Sequence, residues 1–325
     1  MVQLPELILP TVDAIYKHYI DSSGDFRRNH LGASLIGSKC ERSLWYTFRW
    51  CTNPQFSGRV LRLFETGNQQ EPRLIKNLRE VGIEVYDTDP DTKNQIHYEM
   101  YGGHYAGSLD GIGVGFKESK QYHVLEFKTS NVKLFNELKK NGVAAAKPEH
   151  YAQMNQYMKW SGLERAYYFV VCKDNDDIYG ERVSLDKELV KRLEQKASRV
   201  IFSDRPSFKI SDSPNDPTCR FCNHKDICRG IYLPEVNCRT CVFAKPEENG
   251  TWICTRDNTL LCSTKQRETL SCHVFVPDLV PLEQTDANPE KGTITYGSVE
   301  NGPGAILSQE LQEALDKLSS GEIEI

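Results

Sequence analysis

The order of apolar and polar positions divides the first 210 residues into alternating helical and extended segments. Apolar residues that recur about every 3.6 positions indicate helices, and strict alternation or a short apolar run indicates a strand. The helical segments are 11–20, 38–50, 62–82, 147–162 and 185–202. The extended segments are 95–100, 105–115, 121–129, 165–174 and 177–185. This order predicts an α/β fold with a central mixed β-sheet flanked by helices.

Composition separates the remainder of the chain into a linker, a cysteine-rich region and a tail. Residues 203–218 are rich in Pro, Ser and Asp, which is typical of a loop. Eight of the eleven cysteines then follow between Cys219 and Cys272, and the tail contains a short helical pattern at 308–318. The predicted domains span 1–232, 233–280 and 281–325.

Charge and hydropathy argue against a membrane-spanning protein and against a uniformly basic nucleic-acid-binding protein. The 40 basic and 45 acidic residues give a net charge of −5, so a nucleic-acid partner would require a local positive surface. No window approaches the roughly 18 uninterrupted apolar residues of a membrane span. The N-terminus lacks a basic-then-apolar signal pattern. We therefore expect a cytoplasmic protein with no membrane partner, in which clustered cysteines are metal ligands and not disulfides.

Two strand-like segments in the middle of the chain carry candidate chemistry. Alternation along 125–130 places Glu126 and Lys128 on one face and Phe127 towards the core. If the strand after Asp110 pairs with this strand as a hairpin, Asp110 lies beside Glu126. Two carboxylates make an oxygen site for Mg²⁺ or Mn²⁺, and a neighbouring ammonium can activate water, as phosphodiester hydrolysis requires. The simpler alternative is a solvated strand edge with an ion pair.

These residues resemble the D…E-x-K motif of the PD-(D/E)XK nuclease superfamily, and more closely its RecB-like branch. Asp110, Glu126 and Lys128 match the motif, although Leu109 stands where the family often has proline. Gln153 and Tyr157 match the Q-x3-Y motif that these nucleases carry on the next helix. The resemblance implies a PD-(D/E)XK nuclease core.

The resemblance also implies roles for further residues. Glu71, at the head of the helix before the hairpin, matches the residue that this helix lends to the site. Divalent metal would be held by Glu71, Asp110, Glu126 and the carbonyl of Phe127. Lys128 would orient or deprotonate the attacking water, with Gln153 and Tyr157 as positioning groups. Candidate DNA contacts are Ser34, Arg42 and His150.

The first cysteine set is Cys219, Cys222 and Cys228, and it lacks a fourth ligand. His224 would complete a small zinc site. Cys40 is the alternative, because the iron–sulfur members of the RecB-like branch, among them CRISPR-associated adaptation nucleases, place one cysteine before the nuclease core and three after it. The resemblance therefore implies a [4Fe–4S] cluster that closes the nuclease domain, with zinc as the alternative.

The second cysteine set has the spacing of a zinc ribbon. Cys238, Cys241 and Cys254 are the first three expected ligands. The fourth is Cys272, Cys262 or His273. We favour Cys272, because the segment around Cys262 is apolar and is expected to bury that residue. This zinc module would contact DNA or a partner protein, or hold a small segment together.

These features predict a metal-dependent DNA exonuclease that acts at DNA ends in recombination, repair or phage DNA replication, with DNA and a recombination or replication protein as partners. The chain has no helicase P-loop, which suits an independent exonuclease. One alternative is a PD-(D/E)XK endonuclease in restriction or defence. Another is a non-catalytic, metal-stapled DNA-binding protein.

Overall fold

The computed structural model describes residues 9–213, 215–268 and 272–279, together with the backbone of 284–288, 293–296 and 299–301. The helices are α1 (Pro10–Asp21), α2 (Glu41–Phe48), α3 (Gly58–Glu80), α4 (Val132–Ala146), α5 (Pro148–Ser161), α6 (Lys187–Phe202), α7 (Pro217–Arg220), α8 (Lys225–Cys228) and α9 (Ser263–Arg267). The predicted helix at 308–318 lies outside the described residues.

The strands follow an α/β order, as predicted. They are β1 (Leu31–Gly32), β2 (Glu84–Tyr86), β3 (His97–Met100), β4 (Tyr105–Ser108), β5 (Gly111–Val114), β6 (His123–Ser130), β7 (Arg165–Cys172), β8 (Ile178–Ser184), β9 (Ala244–Pro246), β10 (Trp252–Cys254), β11 (Thr259–Leu260), β12 (Gln284–Asn288), β13 (Thr293–Tyr296) and β14 (Val299–Asn301). No helix in the described ranges is long and apolar enough to cross a membrane.

The described chain forms two compact units. The first unit contains the residues up to Phe26, Pro54–Tyr98 and Ser108–Lys187. The second unit contains Arg27–Asn53, Glu99–Gly107 and the residues from Glu188 onwards.

A mixed five-stranded sheet organises the first unit, in the order β2-β5-β6-β7-β8. Strands β6 and β7 pair in parallel, and the other neighbours pair antiparallel. Parallel strands need a crossover connection, which α4 and α5 provide here. The predicted mixed sheet is therefore present.

Helix α3 packs against β6 and covers one face of this sheet. Leu74 and Ile75 of α3 join Leu125 and Phe127 of β6 in one buried apolar cluster. The alternation of side chains then leaves the residues on either side of Phe127 on the opposite face. The expectation that Phe127 points into the core is thus confirmed.

The second unit contains smaller sheets. Leu31 of β1 pairs in parallel with Tyr105 of β4, β9–β11 form an antiparallel sheet, and β12–β14 form another. A buried guanidinium lies in the core, with Arg239 Cζ 3.7 Å from the centre of the Trp50 ring. Arg239 also donates hydrogen bonds to the carbonyls of Phe48 (2.9 Å) and Asn29 (3.0 Å) and to Gln266 Oε1 (2.7 Å), which offsets part of the cost of burying its charge.

We predict that Gly58→Ala destabilises the first unit by about 1–3 kcal/mol, because a Cβ at position 58 would lie 2.3 Å from the carbonyl oxygen of Tyr16 and force α1 away from α3. Gly67→Ala in the same helix is the matched control. Its Cβ would meet no atom closer than the Thr129 hydroxyl at 3.9 Å, so better helix propensity should stabilise by up to about 1 kcal/mol. Thermal unfolding measures both, and equal shifts would contradict the packing described.

Candidate active site

The pairing of β5 with β6 determines where the first carboxylate lies. Gly111 pairs with Leu125, so Asp110 reaches the end of the hairpin beside Glu126. The backbone N–H of Phe127 donates a 2.7 Å hydrogen bond to Asp110 Oδ2. The hairpin expected from the sequence is therefore present, and it holds Asp110 against β6.

Glu126 and Lys128 lie on the sheet face opposite Phe127. Glu126 is completely buried, and its Oε1 forms an ion pair with the ammonium of Lys128, whose side chain is 28% exposed. The other oxygen, Glu126 Oε2, is buried and has no hydrogen-bond partner among the described residues. A buried carboxylate oxygen without a donor is unfavourable, so this atom is suited to accept a cation.

Burial and mutual repulsion raise the pKa values of the carboxylates. Burial, with Asp110 and Glu71 nearby, raises the pKa of Glu126 to about 8, against the opposing effect of Lys128. Burial and Asp110 raise the pKa of Glu71 to about 7. Burial also raises the pKa of Asp110. These three groups therefore favour either protons or a shared counter-charge.

Lys128 supplies part of that counter-charge. Burial disfavours its ammonium form, but Glu126, Asp110 and Glu71 together outweigh burial and raise the pKa of Lys128 above its usual value. The lysine is accordingly a permanent cation at neutral pH. Its charge can hold an anion or orient a water molecule.

Glu71 reaches the site from α3. The sequence places Glu71 at the head of a helix, but α3 begins at Gly58, so Glu71 lies in its interior and the helix macrodipole does not explain it. One turn earlier, a Cβ on Gly67 would lie 3.9 Å from Thr129 Oγ1 of β6. The same face of α3 therefore directs Glu71 towards the end of β6, where its charge acts on Glu126 and Lys128.

Helix α5 covers the Glu126 face of the sheet. His150 Nδ1 lies 2.6 Å from the hydroxyl of Tyr168, which is opposite Glu126 in the parallel pairing. Burial, with the charges of Lys128 and Lys147, lowers the pKa of His150 to about 3, so its imidazole is neutral. His150 can therefore act on a ligand by hydrogen bonding and not by charge.

Gln153 and Tyr157 are also buried on α5. The side-chain amide of Gln153 donates to the Tyr157 hydroxyl at 3.4 Å, as their i, i+4 spacing allows. Tyr168 is a site residue that sequence reasoning missed. Its position beside Glu126 depends on a parallel pairing of β6 and β7, which local patterns do not specify.

The candidate DNA contacts Ser34 and Arg42 belong to the second unit. Arg42 Nε donates to the Tyr46 hydroxyl at 2.8 Å, and Nη1 donates to the carbonyl of Ser207 at 2.9 Å. Ser34 Oγ lies 3.5 Å from Arg28 Nη1. Arg42 therefore anchors the loop at Ser207, and its role as a DNA contact stays a prediction.

The first cysteine set lies within the second unit. Burial raises the pKa of Cys40, and the thiols of Cys222 and Cys228 lie close enough to raise it further. Cys219 is joined to this group by a tight turn in which Cys222 N–H donates to its carbonyl at 3.0 Å.

His224 was the alternative ligand for the first set. Its Nε2 and Nδ1 each lie 2.8 Å from a hydroxyl, of Thr47 and Thr52 respectively. Both ring nitrogens are therefore engaged by hydroxyl groups, and the fourth ligand of this set stays a prediction.

The second set gathers four thiols around one pocket. They are Cys238, Cys241, Cys254 and Cys272. Cys262 is exposed, so the expectation that its apolar segment buries it is wrong. The reason is that Cys262 immediately precedes α9, and its side chain is left at the surface where that helix begins.

Among the described residues, no group of three or more His, Cys, Asp or Glu side chains is arranged to hold a metal ion. In their chemistry, carboxylates with an unpaired buried oxygen are suited to Mg²⁺ or Mn²⁺, and clustered thiols are suited to zinc or iron.

Comparisons with known proteins gave partial structural similarity. No family model and no curated protein matches the chain. An alkaline exonuclease from Laribacter hongkongensis matches 57% of this chain and 90% of its own length, with 18% identity and a TM-score of 0.40. A structure of that exonuclease in complex with dAMP gives the same identity and TM-score over 58% of this chain and 90% of its own.

A phage-related exonuclease from Haemophilus somnus matches 53% of this chain and 91% of its own, with 13% identity and a TM-score of 0.37.

We predict that stability in buffer without divalent cations falls as pH rises through the active-site pKa values. The pKa of Glu126 is raised from 4.5 to about 8, so between these values the folded state binds a proton that the unfolded state releases. Glu126→Gln removes this titration and should unfold at a higher temperature than the wild type above pH 8, with the difference vanishing below pH 4.5. The measurement is the difference in thermal unfolding midpoint between the wild type and Glu126→Gln, from below pH 4.5 to above pH 8. A glutamine variant that is less stable at high pH would contradict the assigned burial cost.

Proposed function

We propose that the chain is a divalent-metal-dependent DNA exonuclease that hydrolyses phosphodiester bonds at DNA ends. The observation that carries this proposal is the convergence of Asp110 and Glu126 beside Lys128, with one buried Glu126 oxygen lacking a donor. Its resemblance to the RecB-like D…E-x-K motif supports DNA as the substrate. The same resemblance supports a role in recombination, repair or phage DNA replication.

Asp110, Glu126 and the carbonyl of Phe127 would hold Mg²⁺ or Mn²⁺, with Glu71 assisting directly or through water. When bound, the metal supplies Lewis-acid polarisation of the phosphate and lowers the pKa of a water molecule. The fit is electrostatic, because the raised pKa values of these carboxylates reflect burial and mutual repulsion that a dication relieves.

Lys128 carries out a separate task. Its ammonium lies at the same end of β6 as the carboxylates and remains charged. It would orient the attacking water and stabilise the negative charge that develops on the phosphate. The neutral imidazole of His150 and the Gln153–Tyr157 pair on α5 would position the lysine and the nucleic-acid strand.

A [4Fe–4S] cluster bound by Cys40, Cys219, Cys222 and Cys228 is part of the same proposal. The proximity of Cys40 to Cys222 and Cys228 supports it, as does the engagement of both His224 nitrogens by threonines. The four thiols would tie the segment around α2 to the segment around α7 and α8 within the second unit.

We predict that Asp110→Asn and Glu126→Gln each lower the cleavage rate of linear DNA by at least about 10²-fold, since each removes a carboxylate that would hold the divalent metal beside the reacting phosphate. Glu84→Gln, at an exposed carboxylate on β2 of the same sheet, is the matched control and should cleave normally. The measurement is Mn²⁺- and Mg²⁺-dependent digestion of end-labelled linear DNA beside a covalently closed circle.

Loss of linear DNA with survival of the circle is the expected result. Cleavage of the circle by the wild type would replace exonuclease with endonuclease. Undiminished cleavage by Asp110→Asn would overturn the assigned site, and no cleavage under any metal condition would favour a non-catalytic DNA-binding protein.

We predict that Cys222→Ser, purified without oxygen, loses iron, acid-labile sulfide and the visible absorption of the cluster. Cys262→Ser, at an exposed thiol, is the control and should retain all three. Iron and sulfide analysis per chain measures both. Wild-type protein that contains zinc at this set and no iron would contradict the cluster.

A further inference from the structure

The segment from Cys238 to Cys272 contains five cysteines, and the fold sorts them into two groups. Four of them line one pocket inside the second unit, while Cys262 is exposed on the surface. The proposed hydrolysis of DNA uses none of these five thiols. The clustering of four of them around one pocket therefore requires a separate explanation.

Cys238 and Cys241 lie on a tight turn that brings the two cysteines together. Cys241 N–H donates to the Cys238 carbonyl at 3.0 Å, and the Asn237 side chain caps the turn. The backbone N–H of Val274 donates to Cys241 Sγ at 3.5 Å, and that of Phe243 also hydrogen bonds to this sulfur. These two backbone donors hold the sulfur of Cys241 in place within the pocket.

The other two thiols are held by elements that meet this turn. Cys254 ends β10, where it pairs with Ala244 of β9 and Thr259 of β11. The carbonyl of Cys272 accepts a 2.6 Å hydrogen bond from Arg256 Nη1. The backbone therefore positions both cysteines independently of any bond between their sulfurs.

The competing fourth ligand on the same segment is already engaged. His273 Nε2 lies 3.1 Å from the Thr240 hydroxyl, and the imidazole also hydrogen bonds to the backbone of Asn237. His273 lines the same pocket as the four cysteines, but its imidazole is hydrogen bonded to Thr240 and Asn237, and Cys262 lies at the surface. These contacts favour Cys272 as the fourth donor.

The four thiols are near one another as well as around one pocket. Cys241, Cys254 and Cys272 all lie close enough to Cys238 to act on it electrostatically. Four neighbouring cysteines are the donor set that a soft dication prefers, and tetrahedral sulfur coordination is typical of structural zinc.

We propose that Cys238, Cys241, Cys254 and Cys272 bind one structural zinc ion as a tetrathiolate site. Binding would release the thiol protons to solvent. The ion would join the turn at Cys238, the sheet β9–β11 and the segment at Cys272.

The test uses the full-length protein and metal analysis of each purified variant. Zinc per chain is measured for the wild type, Cys238→Ser, Cys272→Ser and Cys262→Ser. We expect one zinc in the wild type and in Cys262→Ser, and loss of that zinc in the other two. Cys222→Ser of the first set should keep this zinc, which separates the two metal sites and makes the result independent of DNA cleavage.

A Cys272→Ser variant that keeps its zinc, or a Cys262→Ser variant that loses it, would overturn the assigned ligands. Iron in place of zinc at this set would overturn the metal. If the ligand variants do not fold, cobalt substitution of the wild type and of Cys262→Ser decides the question, because tetrahedral thiolate–cobalt absorption is expected in both. Absence of that absorption from the wild type would also overturn the proposal.

Discussion

The candidate site depends on the register between β5 and β6. The hydrogen bond from Phe127 N–H to Asp110 Oδ2 closes the hairpin beside Glu126 and determines which residues of β6 face the site. Because side chains alternate along a strand, a slip of one residue would direct Phe127 into the site and Lys128 into the apolar cluster under α3. The burial of Phe127 among Leu74, Ile75 and Leu125 therefore stabilises the register that keeps Glu126 and Lys128 on the opposite face.

The same arrangement lowers the free energy of unfolding of the first unit. Glu126 is completely buried with one oxygen unpaired, and its repulsion with Asp110 and Glu71 is offset only in part by Lys128. Such a group destabilises the protein unless a ligand makes use of it. A dication bound between these carboxylates would make their contribution to the free energy of unfolding favourable. Metal binding and the folding of the first unit would therefore be coupled.

Sequence patterns predicted most of the sheet, helix α5 and the convergence of Asp110, Glu126 and Lys128, because the alternation in 125–130 and the helical period in 147–162 are local properties. The same patterns missed α4 and β2 and placed the start of α3 too late. In α4, Asn131 supplies a side-chain cap to Leu134 N–H, but Gly142 at φ 71° interrupts the helical pattern. Contacts such as Glu126 with Tyr168 could not be read from local patterns, since they arise where distant segments pair.

Calorimetric titration of Mn²⁺, without substrate, tests whether Asp110 and Glu126 form one divalent-metal site with the unpaired Glu126 oxygen as a ligand. The proteins to compare are the wild type, Glu126→Gln and the control Glu84→Gln. We expect saturable binding that is preserved in Glu84→Gln and lost in Glu126→Gln. Equal binding by all three proteins would show that Glu126 is not a metal ligand.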